Sequence, residues 1–278
     1  FRQILGNNKN VNSSKKDTLI TMNLIRIWII ASNGFREVIR DRILYVIGFF
    51  AVVLALSLRL LPEISVGTDG KIFLDVGLGL TSFLGAIVAI FVGTALINKE
   101  IEKRTVLILI PKPISRAELI VGKHLGLCGV LAVVIAIMTA LYLGALTWAN
   151  IIFSPFSLLV SQVYLLLELA VLTAVAITFG TFTSSILATL LSFGIYIIGH
   201  LSSDLLELAQ ISKNPQITAL TESIYLVVPN LERFNLKNTA VYGILPSSSD
   251  LLVNGVYGMI YIVLLLTISS FIFSRRQF

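Results

Sequence analysis

Six long apolar runs constrain the fold of this chain more than any other feature. They cover residues 43–61, 76–97, 125–148, 158–179, 184–201 and 251–273. Each is close to the roughly 20 residues that a helix needs to cross a hydrocarbon core. Apart from Arg59 near one end and Glu168 at one centre, these runs contain no Asp, Glu, Lys or Arg, as the cost of charge in lipid requires. The sequence therefore predicts an all-α integral membrane protein with six transmembrane helices.

Composition supports a membrane location. Only 13% of the 278 residues are charged and 56% are hydrophobic, whereas soluble domains carry about 25% charged residues. The net charge of +6 would suggest nucleic acid in a soluble protein. In this chain the preference of basic residues for one side of the bilayer explains the positive charge better. We therefore expect a lipid membrane as a partner and no nucleic acid. The single cysteine, Cys128, excludes a disulfide within the chain.

The basic residues indicate which side of the membrane each connection faces. Segments 1–42, 98–124 and 274–278 hold eight, six and two of the 21 Lys and Arg residues. Because basic residues are retained on the cytoplasmic side, we expect these segments, and thus both termini, to be cytoplasmic. The opposite connections hold Lys71, Lys213, Arg233 and Lys237.

The regions flanking the spans differ in character. Residues 1–21 are polar and are expected to form a disordered extension, which leaves 22–278 as one six-span domain. Residues 22–40 alternate apolar and basic side chains, which favours an amphipathic helix in the cytoplasmic interface over a short seventh span. Segment 202–250 is the only sizeable extracytoplasmic element, and a small helical cap is expected there.

Small residues at four-residue spacing mark helix faces that allow close backbone approach. The second run carries Gly85, Ala89 and Gly93, and the third carries Ala132, Ala136, Ala140 and Gly144. Both faces should pack against other helices, in the same chain or in a second copy.

The segment 98–124 has the richest pattern of the polar connections. Glu100 and Arg104 form a favourable i,i+4 pair on a helix that extends the second span. Pro111 and Pro113 are expected to end that helix. Ser115 and Glu118 have the spacing of a capping box that begins the helix of the third span. Two interpretations of this helix, turn and helix are open. It can transmit the movement of an external partner into the bilayer, or it can be only a capped connection between two spans.

Motifs of soluble enzymes are absent from the sequence. There is no phosphate-binding Gly-x-x-x-x-Gly-Lys-Ser/Thr, no His-Glu-x-x-His and no Gly-x-Ser-x-Gly. We therefore expect no catalytic residues, no metal site and no cofactor in this chain.

The connection between the second and third spans carries a further set of residues: Glu100, Arg104-Thr105, Leu109, 112–116, Leu119 and Gly122-Lys123. This set resembles the hallmark of the permease subunits of type-2 ATP-binding-cassette exporters, in particular the single-domain branch that includes the nitrous-oxide reductase maturation permease. Residues 35–45, 229–235 and 273–278 resemble the family's entry to the first span, its outer segment and its terminus.

This resemblance implies a dimer of six-span subunits in a prokaryotic plasma membrane, bound to separate cytoplasmic ATPase subunits that carry ATP and Mg²⁺. The segment around Ser115 and Arg116 would be the coupling helix, with Glu100, Arg104, Pro113 and Glu118 beside it. The helix before the first span would be the family's elbow. Its last residues, Arg36, Arg40 and Asp41, would lie near the ATPase. Export or extraction is the implied direction.

Glu168 is the one acid at mid-membrane depth and is a candidate for the translocation path. A buried carboxyl that stays neutral and bonds a nearby polar group is the structural alternative. An ion- or proton-coupled secondary transporter centred on Glu168 is the second functional reading, although such folds usually have interrupted helices. A membrane enzyme would need paired catalytic groups. His124 and His200 are expected at opposite ends of their spans as interfacial packing residues.

The cargo is not named by any motif. A pathway lined mainly by apolar residues would suit a lipidic or amphipathic substrate.

Overall fold

The computed structural model describes residues 23–40, 43–64, 69–102, 115–212 and 214–275, and every regular element in these ranges is a helix. The long helices are α1 (Leu24–Arg40), α2 (Ile43–Ile64), α3 (Asp69–Glu102), α4 (Arg116–Trp148), α5 (Pro155–Phe182), α6 (Ser185–Ser212) and α9 (Ser248–Arg275). Between α6 and α9 lie α7 (Pro215–Val227), a 3-10 helix (Leu231–Phe234) and α8 (Lys237–Val241). The predicted all-α membrane fold is confirmed.

Six of these helices, α2 to α6 and α9, are long and apolar enough to cross a membrane. They run in alternating directions, which gives the bundle two ends. We call the end that holds α1, the start of α4 and the end of α9 the basic end. The end that holds α7, the 3-10 helix and α8 is the far end.

The helices are longer than the apolar runs that predicted them. The second run extends at the basic end to Glu102, and the third begins at Arg116, where the capping box predicted a start. The fifth run was predicted to end at residue 201, but α6 continues to Ser212. Polar residues such as Ser202, Ser203 and Asp204 hid this continuation, because a helix that emerges from the bilayer no longer needs apolar side chains.

The core lies where α3 and α5 cross, and small residues set their distance. A Cβ atom on Gly85 would lie 2.7 Å from Leu169 Cδ1, and one on Gly93 would lie 2.9 Å from Ala176 Cβ. The small face of the second span therefore packs within the chain. On α4, by contrast, nothing lies within 4 Å of the position that a Cβ on Gly144 would take.

The helix α1 confirms the predicted helix before the first span. Its apolar side chains divide between two faces. Ile27 and Ala31 are buried against the bundle, whereas Leu24, Ile25 and Trp28 are exposed. The exposed face has the character of a helix that lies against lipid headgroups and chains.

The far-end segment is only in part the predicted surface cap. No residue of α7 is buried, which agrees with a cap on the surface. The following stretch, however, enters the bundle, with Leu231 and Phe234 almost completely buried. Glycines make room for it: a Cβ on Gly199 of α6 would lie 2.8 Å from the Pro229 carbonyl oxygen, and one on Gly258 of α9 would lie 3.0 Å from Phe234 Cζ. The prediction of a cap is thus wrong for 229–236, which is an inserted segment.

Candidate functional site

The predicted capping box at the start of α4 is present. The Glu118 amide donates to Ser115 Oγ at 3.1 Å, and the Ser115 amide donates to Glu118 Oε2 at 2.8 Å. Each side chain thereby satisfies an amide that the helix geometry leaves without a carbonyl partner. The box fixes the direction in which the chain enters the third span.

Glu118 also connects α4 to the start of α1. The Asn23 amide donates to Glu118 Oε1 at 2.8 Å, and Arg26 Nη1 lies 4.0 Å from Glu118 Oε2. Only 2% of the Glu118 side chain is exposed. Because a buried carboxylate without partners is costly, these contacts make α1 and α4 depend on one another.

Two glycines let α1 lie directly on α4. A Cβ on Gly122 would lie 2.7 Å from Ile30 Cβ, and one on Gly126 would lie 2.6 Å from the Ala31 carbonyl oxygen. Between them, the mostly buried Lys123 forms an ion pair with Glu37 of α1, with Nζ 3.6 Å from Oε2. The two helices are therefore joined by both backbone contact and charge.

Arg116 joins the same point to the last helix. Its Nη1 donates to the carbonyl oxygens of Phe273 at 2.7 Å and Ser274 at 2.9 Å. These carbonyls belong to the last turn of α9, where a helix has unsatisfied acceptors and a partial negative charge. The start of α4 is thus bonded to α1 on one side and to α9 on the other.

The other predicted coupling residues are only partly described. Arg36 is exposed on α1, and Arg40 is the last residue of that helix. Glu100 lies in the last turns of α3. Arg104, Pro113 and Asp41 lie outside the described residues, so the pairing of Glu100 with Arg104 stays a prediction.

Glu168 lies in the middle of α5 with 2% of its side chain exposed, and it is paired with His200 of α6. His200 Nε2 lies 3.0 Å from Glu168 Oε1, and His200 Nδ1 lies 3.4 Å from Glu232 Oε2 of the 3-10 helix. The sequence had indicated that His200 is an interfacial packing residue, and this prediction is wrong. His200 bridges two carboxyl groups.

The sequence does hold a signal for this pair. Glu168 and His200 each stand sixteen residues from Ser184, which lies in the turn between α5 and α6. In an antiparallel helix pair, residues at equal distance from the turn lie at the same depth. Assigning His200 to the end of a span that was taken to stop at 201 concealed this relation.

Glu232 is held as a carboxylate by its surroundings. Burial favours the neutral acid, but hydrogen bonds from His200 and Asn235, together with the charges of His200 and Lys237, outweigh it. The pKa of Glu232 therefore lies below its ordinary value. Asn235 Nδ2 lies 3.1 Å from each carboxylate oxygen.

A small cavity adjoins Glu168 on the side away from the basic end. Its volume of about 10 Å³ is close to the room that one water molecule needs. The polar residues that line it are Ser82, Ser161, Gln162, Glu168, Asn235 and Lys237. Gln162 Oε1 is buried there without a hydrogen-bond partner.

His124 is the other histidine of the chain, and it is buried. Its Nε2 lies 3.0 Å from the Ala170 carbonyl oxygen, which joins α4 to α5. Within the part of the chain that the structure describes, no three His, Cys, Asp or Glu side chains are arranged to hold a metal ion.

Comparison with known proteins adds one finding. Residues 28–278 match the family model described as ABC-2 family transporter protein. The matched range includes all six spans, the start of α4 and the cluster around His200. No curated protein matches the chain.

Proposed function

The chain belongs to the ABC-2 transporter family, and from this premise we propose that separate ATPase subunits drive it through the segment 98–124. It is a multi-pass permease subunit of an ABC transporter. In this proposal ATP and Mg²⁺ are bound by the partner subunits, and this chain contributes the membrane pathway.

One observation carries the proposal: three helices meet at the residue where the predicted coupling segment enters α4. Glu118 binds the start of α1, and Arg116 binds the end of α9. From there α4 runs for 33 residues, or about 50 Å, to the far end. A push on residues just before Ser115 would therefore move α1, α4 and α9 together.

The basic end is proposed to face the cytoplasm, because Lys and Arg are concentrated there. A second copy of the chain would complete the pathway. The exposed apolar side chains of α2, α6 and α9 give a second copy and lipid enough surface to cover. Export or extraction, a prokaryotic plasma membrane and the narrower nitrous-oxide branch follow from the sequence resemblance.

A lipidic or amphipathic cargo suits these surfaces best. The described spans expose apolar residues over most of their outer faces, and Glu168 is buried between helices. A binding assay with fluorescent phospholipids, competed by a hydrophilic sugar or peptide, tests the cargo class. Displacement by the hydrophilic compounds alone would overturn it.

A proton-coupled secondary transporter is the second candidate, and the contact between His200 and Glu168 is the observation in its favour. That reading requires transport without nucleotide. Uptake or efflux in vesicles that contain the chain alone, driven by a pH gradient, would support it over the ATP-driven reading.

The experiment for the leading proposal is purification from native membranes in mild detergent with bound partners retained, followed by mass spectrometry to identify an ATPase subunit and by an ATPase assay. The rate of the complex is compared with that of the ATPase alone. Arg116→Glu is expected to abolish the change in rate that the permease causes, because it repels the α9 carbonyls and breaks the junction. Lys71→Glu is the matched control, since it makes the same charge change at the far end.

The outcomes separate assembly from coupling. If Arg116→Glu releases the ATPase, the residue contributes to binding. If the complex stays intact but the ATPase rate no longer responds, the junction couples the subunits. A wild-type chain that purifies without any ATPase would contradict the proposal.

A further inference from the structure

The three side chains that meet at His200 form a path from the interior toward the far end. The exposed fraction of the side chain rises from 2% for Glu168 to 17% for His200 and 42% for Glu232. Because Glu232 reaches solvent, protons can enter from the far end. Because Glu168 does not, a proton can pass no further without a change of structure.

The contacts among Glu168, His200 and Glu232 require at least one proton on these three side chains. Both ring nitrogens of His200 face carboxyl oxygens, at 3.0 and 3.4 Å. A neutral imidazole donates through one nitrogen only, and the lone pair of the other would face an oxygen lone pair. An imidazolium donates through both nitrogens. The arrangement is therefore complementary to a set that holds one proton more than its fully deprotonated form, and His200 is the group that can donate to both oxygens at once.

The charges of the neighbouring elements agree with this state. Glu168 comes from α5, Glu232 from the 3-10 helix and Lys237 from α8. On α6 itself, the Tyr196 ring meets the imidazole edge to face, with 4.7 Å between the ring centroids. From α9 the Tyr257 hydroxyl accepts from the Asn230 amide. Counted with both carboxyl groups ionised, a protonated His200 gives two negative and two positive charges, and without the proton one negative charge is left in excess.

The cluster also holds the inserted segment 229–236 against α6. Glu232 bonds this segment to α6 through His200, and Asn235 orients its carboxylate. Asn230 Nδ2 makes a second bond to α6, donating to Ser203 Oγ at 3.1 Å. Arg233 is turned away and lies over the Tyr257 ring of α9, 4.9 Å from its centroid. Loss of the proton would set a carboxylate against a lone pair and push the segment from α6.

We propose that His200, held between Glu168 and Glu232, is a proton-binding site open to the far end, and that the bound proton clamps segment 229–236 into the bundle. The cavity beside Glu168 has room for one water molecule, and Gln162 Oε1 offers that water an acceptor. Proton binding does not depend on the ATPase partner, so this inference stands apart from the proposed coupling.

The first test measures the charge of His200 directly. The chain has two histidines, so ¹⁵N-histidine labelling of the full chain in lipid nanodiscs gives two imidazole signals, and His200→Gln identifies which is which. The His200 signal is expected to remain that of an imidazolium above pH 6.5, the ordinary value for histidine. Glu168→Gln and Glu232→Gln should each move its titration to lower pH. A neutral His200 at pH 6, or a titration that neither variant moves, would overturn the proposal.

The second test measures the clamp by amide hydrogen exchange of residues 229–236 at pH 6. His200→Gln should speed their exchange about tenfold or more, as expected when hydrogen bonds to charged groups are lost. His124→Gln makes the same change at the other histidine and should leave this segment unchanged. Should His200→Gln fail to fold, Glu232→Gln replaces it, because its side chain is partly exposed. Unchanged exchange in both variants would refute the clamp.

Discussion

Gly126 stands where α1 lies closest to α4, and replacing it tests whether the two helices form one unit. In Gly126→Ala the new Cβ would lie 2.6 Å from the Ala31 carbonyl oxygen and 3.3 Å from its Cα. Ordinary contact begins at 3.4 Å, so α1 must move by about 0.8 Å. The atoms in the way belong to the backbone, which cannot turn aside as a flexible side chain does.

The expected cost follows from overpacking, which destabilises by about 1–3 kcal/mol. Alanine also raises helix propensity by about 1 kcal/mol relative to glycine, which acts in the opposite direction. Gly144→Ala on the same helix gains the same propensity without a clash, because nothing lies within 4 Å of its Cβ position. We therefore expect Gly126→Ala to be less stable than Gly144→Ala by about 1–3 kcal/mol.

The assay is equilibrium unfolding in mixed micelles of a mild detergent and SDS. The chain has two tryptophans, Trp28 on α1 and Trp148 at the end of α4. In a Trp148→Phe background, the fluorescence of Trp28 reports whether α1 leaves the bundle. Free energies of unfolding that agree within about 0.5 kcal/mol for the two alanine variants would refute the close packing of α1 on α4.

Three further predictions concern the other contacts. Ser115→Ala should lower the free energy of unfolding by about 1 kcal/mol, since the Glu118 amide loses its cap, and Ser115→Asp should restore it. Gly199→Ala should speed hydrogen exchange of segment 229–236, because its Cβ would lie 2.8 Å from the Pro229 carbonyl oxygen, whereas Gly194→Ala on the same helix has open space and should not. The lowered pKa of Glu232 means that its carboxylate adds stability above about pH 4.3, the value of an unperturbed Glu, and that this stability is lost as the pH falls through the lowered pKa. The stability difference between wild type and Glu232→Gln should therefore vanish in acid; a difference that persists at pH 2 would contradict this.

Much of the fold could be predicted because its signals are local. An apolar run of sufficient length predicts a membrane-spanning helix, because backbone N–H and C=O groups in lipid must be hydrogen-bonded within the segment. The Ser115 and Glu118 capping box needs only four consecutive residues, and it gave the start of α4 correctly. These are properties of single helices, which need no knowledge of neighbours.

The partners of the candidate residues could not be predicted in the same way. Arg116 was assigned to coupling from a resemblance, but it bonds to Phe273 at the end of α9, which is 157 residues away in the sequence. Glu168 was correctly singled out as a buried acid, while its partner His200 was taken for a packing residue. Glu232 lay in the stretch 229–235 that resembles the family's outer segment, but it was given no role, because that segment was expected on the surface.

The sequence by itself determined that this chain crosses a membrane on six helices, that α1 is amphipathic and that α4 begins at a capped serine. Each of these follows from hydrophobicity and hydrogen bonding within one stretch of chain. Only the tertiary structure decided that Glu118 and Arg116 join three helices and that His200 bridges two carboxyl groups. Such contacts depend on helix crossing and on glycines that admit a neighbouring backbone, and these are properties of pairs of elements that no single stretch encodes.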